Sequence, residues 1–143
     1  MKADLSRASR SLRCAVALTA VVVCPAAWAH GDREVVSEQG RKLAIAYYEP
    51  SPDGSTGAEV EELTTKINRA HVCSEAALDL TSATLWMTEH GHGSAPTSVL
   101  PDAASEGRCA WIGGMEFVMP GNWEVRLELG QGDRAVFHAH LHE

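Results

Sequence analysis

Trp123-Glu124-Val125-Arg126-Leu127-Glu128-Leu129 alternates apolar and charged residues without a break. A period of two puts Trp123, Val125, Leu127 and Leu129 on one face and the charges on the other, which predicts a strand with one face buried and one in water. Pro120-Gly121-Asn122 opens it, and Gly130-Gln131-Gly132-Asp133 turns the chain into Ala135-Val136-Phe137-His138-Ala139-His140-Leu141-His142. Upstream, Leu78 to Met87 and Cys109 to Val118 are rich in strand formers, and Lys42 to Tyr48 is strand-like. Glu49 to Gly57 is dense in turn formers and predicts a hairpin or crossover loop. Within Ala58 to Ala70, Val60, Leu63 and Ile67 have helical spacing, but the threonines and the β-rich surroundings favour extended structure. Several short strands punctuated by turns predict an all-β, antiparallel sandwich.

The N-terminus reads differently. Lys2, Arg7, Arg10 and Arg13 precede the apolar run Cys14 to Cys24, which is followed by Pro25 and Ala27-Trp28-Ala29. This basic, apolar, small-residue order is that of a secretory signal peptide, so residues 1–29 are expected to be removed and the mature chain to begin at His30 in the periplasm or outside the cell. No later stretch approaches the roughly 20 apolar residues of a membrane span, so the mature form is not expected to cross a membrane. Residues 30–41 are polar without a period and are expected to form a flexible arm, with one domain over 42–143. The chain has a net charge of −7, and the leader takes four of its twelve basic residues but only one of its nineteen acids. The remainder is therefore still more acidic, which argues against nucleic acid and for cations as partners.

Four cysteines are present, and Cys14 and Cys24 leave with the leader. In an oxidising compartment Cys73 and Cys109 are most simply one disulfide, contributing about 4 kcal/mol on the chain-entropy estimate. The rival is a thiolate metal ligand.

The densest set of donor side chains is Trp86-Met87-Thr88-Glu89-His90-Gly91-His92-Gly93. Two imidazoles two residues apart and a nearby thioether suit copper, especially Cu(I). The plainer alternative is an exposed polar loop. A second set is His138, His140 and His142, which on a strand would line one face at about 7 Å per step and otherwise form a histidine-rich tail. A third is His30, whose α-amine and imidazole would chelate Cu(II) after cleavage, or which merely follows the cleavage site.

Trp86-Met87-Thr88-Glu89-His90-Gly91-His92-Gly93 together with Phe117-Val118-Met119-Pro120-Gly121-Asn122-Trp123-Glu124 resembles the YtkA-like proteins, related to FixH-type domains. These commonly show a Met-Pro-x-His-x-His-Gly loop and a Phe-x-Met-Pro-Gly-x-Trp strand start. The resemblance covers about residues 78–129, and Thr88, Val118 and Ser94 stand where the family often has proline, histidine and methionine. It implies an immunoglobulin-like β-sandwich that gathers Met87, His90, His92 and Met119 at one end.

The leading expectation is an exported copper-binding carrier or accessory module using the Met-x-x-His-x-His loop, with the metal ion and another periplasmic or membrane protein as its expected partners. The alternative is an interaction or assembly module without metal, its core packed by Trp86, Trp111 and Trp123. A third is a small copper oxidase or oxygenase using His30. Catalysis is otherwise not expected, because the chain has no G-x-S-x-G, no nucleophilic Cys beside a His and no phosphate-binding glycine loop.

Overall fold

The computed structural model describes residues 31–143; the proposed leader and His30 lie outside the described residues. Ten strands follow one another: β1 Glu34–Val36, β2 Lys42–Pro50, β3 Thr56–Val60, β4 Arg69–Ser74, β5 Leu80–Met87, β6 His92–Gly93, β7 Ser98–Pro101, β8 Cys109–Gly113, β9 Gly121–Leu129 and β10 Arg134–Leu141. They form two antiparallel sheets. The larger runs β1-β2-β4-β8-β7, with β3 also on β2; the smaller runs β10-β9-β5-β6.

Alternation decides which face each strand buries. Leu43, Ile45 and Tyr47 of β2, Ala70 and Val72 of β4, and Ala110 and Ile112 of β8 point inward from the larger sheet. Ala83, Leu85 and Met87 of β5, the four apolar residues of β9, and Ala135, Phe137, Ala139 and Leu141 of β10 meet them from the smaller one. Residues of both sheets share one core, the arrangement of a β-sandwich. The Glu49–Gly57 stretch is a hairpin joining β2 to β3, with Pro50 opposite Thr56.

Three expectations change. Residues 31–41 are not an unstructured arm, because β1 pairs with β2 and the flanking backbone bonds to β10: Asp32 N–H donates to His138 O at 2.7 Å and Glu38 N–H to Arg134 O at 2.8 Å. The 58–70 stretch is extended as expected only at its two ends, in β3 and β4; the segment between them is neither helix nor strand. It carries Leu63 and Ile67 into the core and is tied to the chain end by the His142 N–H on Leu63 O at 2.8 Å. Finally, only Trp123 of the three tryptophans is a core residue. Trp86 lies on the outer face under the Arg126 guanidinium, 4.7 Å from its ring centre, and Trp111 stacks outside against Tyr48 and His71. Among the described residues no helix is long and apolar enough to cross a membrane.

Candidate metal centre

The β5–β6 hairpin positions the histidine loop. β5 ends at Met87, a tight turn follows with Gly91 in the left-handed region at φ 65°, and the Gly91 N–H returns to Met87 O at 2.9 Å. The return sets Met87 opposite His92, so their side chains share a face of the sheet. Trp123 is the next residue in that row, opposite Met87 on β9, and its ring meets the His92 ring edge-on at 6.4 Å. The His90 and His92 rings lie 6.0 Å apart, and both residues are exposed.

The methionines differ. Met87 is 1% exposed and packs in the core, whereas Met119 is 36% exposed. Trp123 Nε1–H donates to Met119 O at 3.0 Å, which fixes the backbone of Met119 beside the same row. Gly121 is required here: its φ is 128°, and a β-carbon would stand 3.0 Å from Met87 Cε. All four residues named by the resemblance therefore border the end where β5, β6 and β9 meet. His92 Nδ1 contacts Gly93 O at 3.1 Å; the carbonyl accepts, so Nδ1 carries the proton and Nε2 keeps its lone pair.

The second histidine set sits on β10. The strand extends through Leu141, and Phe137, Ala139 and Leu141 are core residues, so His138 and His140 face outward. His138 Nδ1 lies 2.9 Å from Asp32 Oδ2 and its Nε2 lies 3.8 Å from Glu124. His140 Nδ1 lies 2.7 Å from Asn122 Oδ1, while Asn122 Nδ2 donates to Glu89 in the β5–β6 turn. One polar chain thus joins His140 to the loop. The His140 and His142 rings stand nearly perpendicular at 5.1 Å. His30 lies outside the described residues, but its neighbour Gly31 is held hard against β10: a β-carbon there would come within 2.6 Å of His138 O.

Cys73 and Cys109 face each other across β4 and β8 and are disulfide-bonded. They have a neighbour that the reading of the sequence missed, His71, whose Nδ1 is 3.7 Å from Cys73 Sγ. These three are the one group of histidine, cysteine or carboxylate side chains among the described residues whose ligand atoms lie mutually within 4.8 Å. The signal was present in His71-Val72-Cys73, because two residues flanking an inward valine share the outer face. Asp102, which accepts from His71 Nε2 at 2.8 Å, comes from a distant loop and left no such trace. That hydrogen bond, with a second from the Ala104 N–H, holds the Asp102 carboxyl below the usual range.

Comparison of the chain with protein-family models, curated proteins and solved structures finds no match.

Proposed function

We propose that this is an exported copper-binding module, a carrier or accessory that passes its ion to another periplasmic or membrane protein. The single observation that carries the reading is the pairing of Met87 with His92 on one face, with His90 alongside and Met119 tethered through Trp123. Thioether and imidazole donors together suit Cu(I). The acidic net charge favours approach of a cation. Kinship with the YtkA-like proteins and an immunoglobulin-like topology belong to the same proposal and rest on the two quoted motifs.

Titration of untagged protein with Cu(I) against a competing chelator tests it. Tight binding of one ion that is lost in His90→Ala/His92→Ala is the expected result; equal affinity in the two proteins overturns the loop site. Absence of any stoichiometric binding instead favours a non-metal interaction module.

A second reading is favoured by the docking of Gly31 and Asp32 on β10. Cleavage after Ala29 would place the His30 amine and imidazole one residue from this anchor, offering Cu(II) a chelate and, with a reductant or peroxide, a route to oxygenase chemistry. His138→Gln/His140→Gln is the suitable probe of the strand histidines. Deleting residues 138–143 would also remove Ala139 and Leu141 from the core.

A further inference from the structure

The outer face of the larger sheet carries a second donor group, independent of the loop. β4 sends Ala70 and Val72 into the core and turns His71 and Cys73 outward, where they stand opposite Trp111 and Cys109 of β8. The His71 ring is held on two sides, by Trp111 at 4.3 Å between ring centres and by Asp102 Oδ2 at 2.8 Å from Nε2. Because the carboxylate accepts, the neutral form of the ring carries its proton on Nε2 and turns the Nδ1 lone pair towards Cys73 Sγ, 3.7 Å away. A disulfide sulfur has no proton to donate. The oriented lone pair therefore gains no hydrogen bond from its sulfur neighbour, although an imidazole fixed by a carboxylate on its far nitrogen is the usual form of a metal-ligating histidine.

We propose that opening the Cys73–Cys109 disulfide converts this group into a three-ligand site for a soft d10 cation, Zn(II) or Cu(I). Cys73 Sγ, Cys109 Sγ and His71 Nδ1 are the ligands, and Asp102 is a positioning residue. A dithiol reductant supplies the electrons: one of its thiolates attacks a cysteine sulfur, the S–S bond breaks, and its second thiolate releases the mixed disulfide. The dithiol leaves as its own disulfide, and two electrons and two protons end on Cys73 and Cys109. The arriving cation displaces those protons to solvent. Two thiolates and one imidazole form a donor set for either ion and leave a fourth position open.

The surroundings suit a cation. Ala44 and Ala46 of β2 stand opposite Cys73 and His71, and these small side chains leave a groove over the group. Glu34, Glu59 and Glu61 line the same groove, and the one cationic side chain beside them, Arg33, donates to the carbonyls of Val60 and Glu61, so the carboxylates outnumber it. Their charges raise the local concentration of cations.

The test uses protein expressed from the full-length sequence and carrying His90→Ala/His92→Ala, so that failure here is separate from failure of the loop site. It is reduced with a phosphine and titrated with Co(II) as a spectroscopic stand-in for Zn(II). One equivalent should give thiolate-to-cobalt charge-transfer absorption, absent from the oxidised protein and from Cys73→Ser/Cys109→Ser. His71→Gln and Asp102→Asn should each weaken binding by about ten- to a hundredfold, with Asp102→Glu recovering part of the loss. Near-UV dichroism of the aromatic side chains as a whole, dominated by the core residue Trp123 and its neighbours, reports the fold in each case. The proposal is overturned if the reduced protein unfolds, gives no charge-transfer band, or binds equally well after His71→Gln.

Discussion

Asp32 and His138 clasp the start of the described chain to the last strand through a single oxygen. Asp32 Oδ2 accepts both the His138 main-chain N–H and the His138 ring Nδ1, each at 2.9 Å, while the Asp32 N–H returns to His138 O at 2.7 Å. β1 thereby joins the free edge of the smaller sheet to the larger sheet, where it pairs with β2.

Asp32→Ala removes the acceptor and leaves the backbone bond alone. The clasp is partly exposed, so the expected cost is modest, about 1 kcal/mol in a denaturant titration. The local effect is larger. Amide exchange at Asp32 and His138 should accelerate while exchange across β4 and β8 is unchanged, and a uniform change through both sheets would show that the clasp is not a local element.

Asp133 sets an acid limit on stability. Burial pushes its carboxyl up, but Ser37 Oγ–H at 2.7 Å, the N–H groups of Gln39 and Arg134, and the nearby Arg41 outweigh burial and hold it below the usual range. A folded pKa below the unfolded one gives stability that is present above the unfolded value, about 3.9, and is lost as pH falls through the folded value. Thermal midpoints should therefore be insensitive to this group from neutral pH to about 5 and fall in stronger acid. Asp133→Asn should lower the midpoint at neutral pH and flatten the acid decline; an unaltered acid slope would assign that decline to other carboxylates such as Asp102.

The strands that alternation predicts are those whose burial is decided locally. Val125 and Phe137 need only a core on one side, and period two supplies the face. β1 was hidden because Glu34-Val35-Val36 has little pattern of its own; it pairs with β2, and the bonds that fix the backbone on either side of it, from Asp32, Glu38 and Gln39, go to His138, Arg134 and Asp133 at the far end of the sequence. Trp86 and Trp111 look like core residues by size, yet their strand parity puts them outside, where Arg126 and His71 cover them. The candidate site divides in the same way. The loop motif places His90 and His92 from sequence, and the His71–Asp102 contact needs the fold.

Tyr47 carries a misfit that mutation should relieve. Its side chain is fully buried, its hydroxyl has no hydrogen-bond partner, and burial raises its pKa well above that of ordinary tyrosine. Tyr47→Phe keeps the ring, and its contact with the Arg33 guanidinium at 5.1 Å, while removing the desolvated oxygen. The expected change is a gain of about 1 kcal/mol in unfolding free energy. A loss of similar size would mean that the hydroxyl is satisfied in solution.

Met87 separates packing from ligation. Strand parity sends it inward with Ala83 and Leu85, and its methyl group lies against Gly121, so its burial alone is accounted for by the core. The same parity also sets it beside His92, where a thioether would complete a soft donor set. Met87→Leu nearly preserves volume and should cost under about 1.5 kcal/mol of stability. If the sulfur binds the ion, the Cu(I) dissociation constant should rise tenfold or more while the thermal midpoint moves little. Met119→Leu provides the matched comparison from the exposed side, since that side chain contributes little to the core. A fall in Cu(I) affinity for Met119→Leu alone would place the ion outside the sandwich, held by His90, His92 and Met119. A fall for both would draw it inward to the row shared by Met87, His92 and Trp123, and no change in either would leave the imidazoles without a thioether partner.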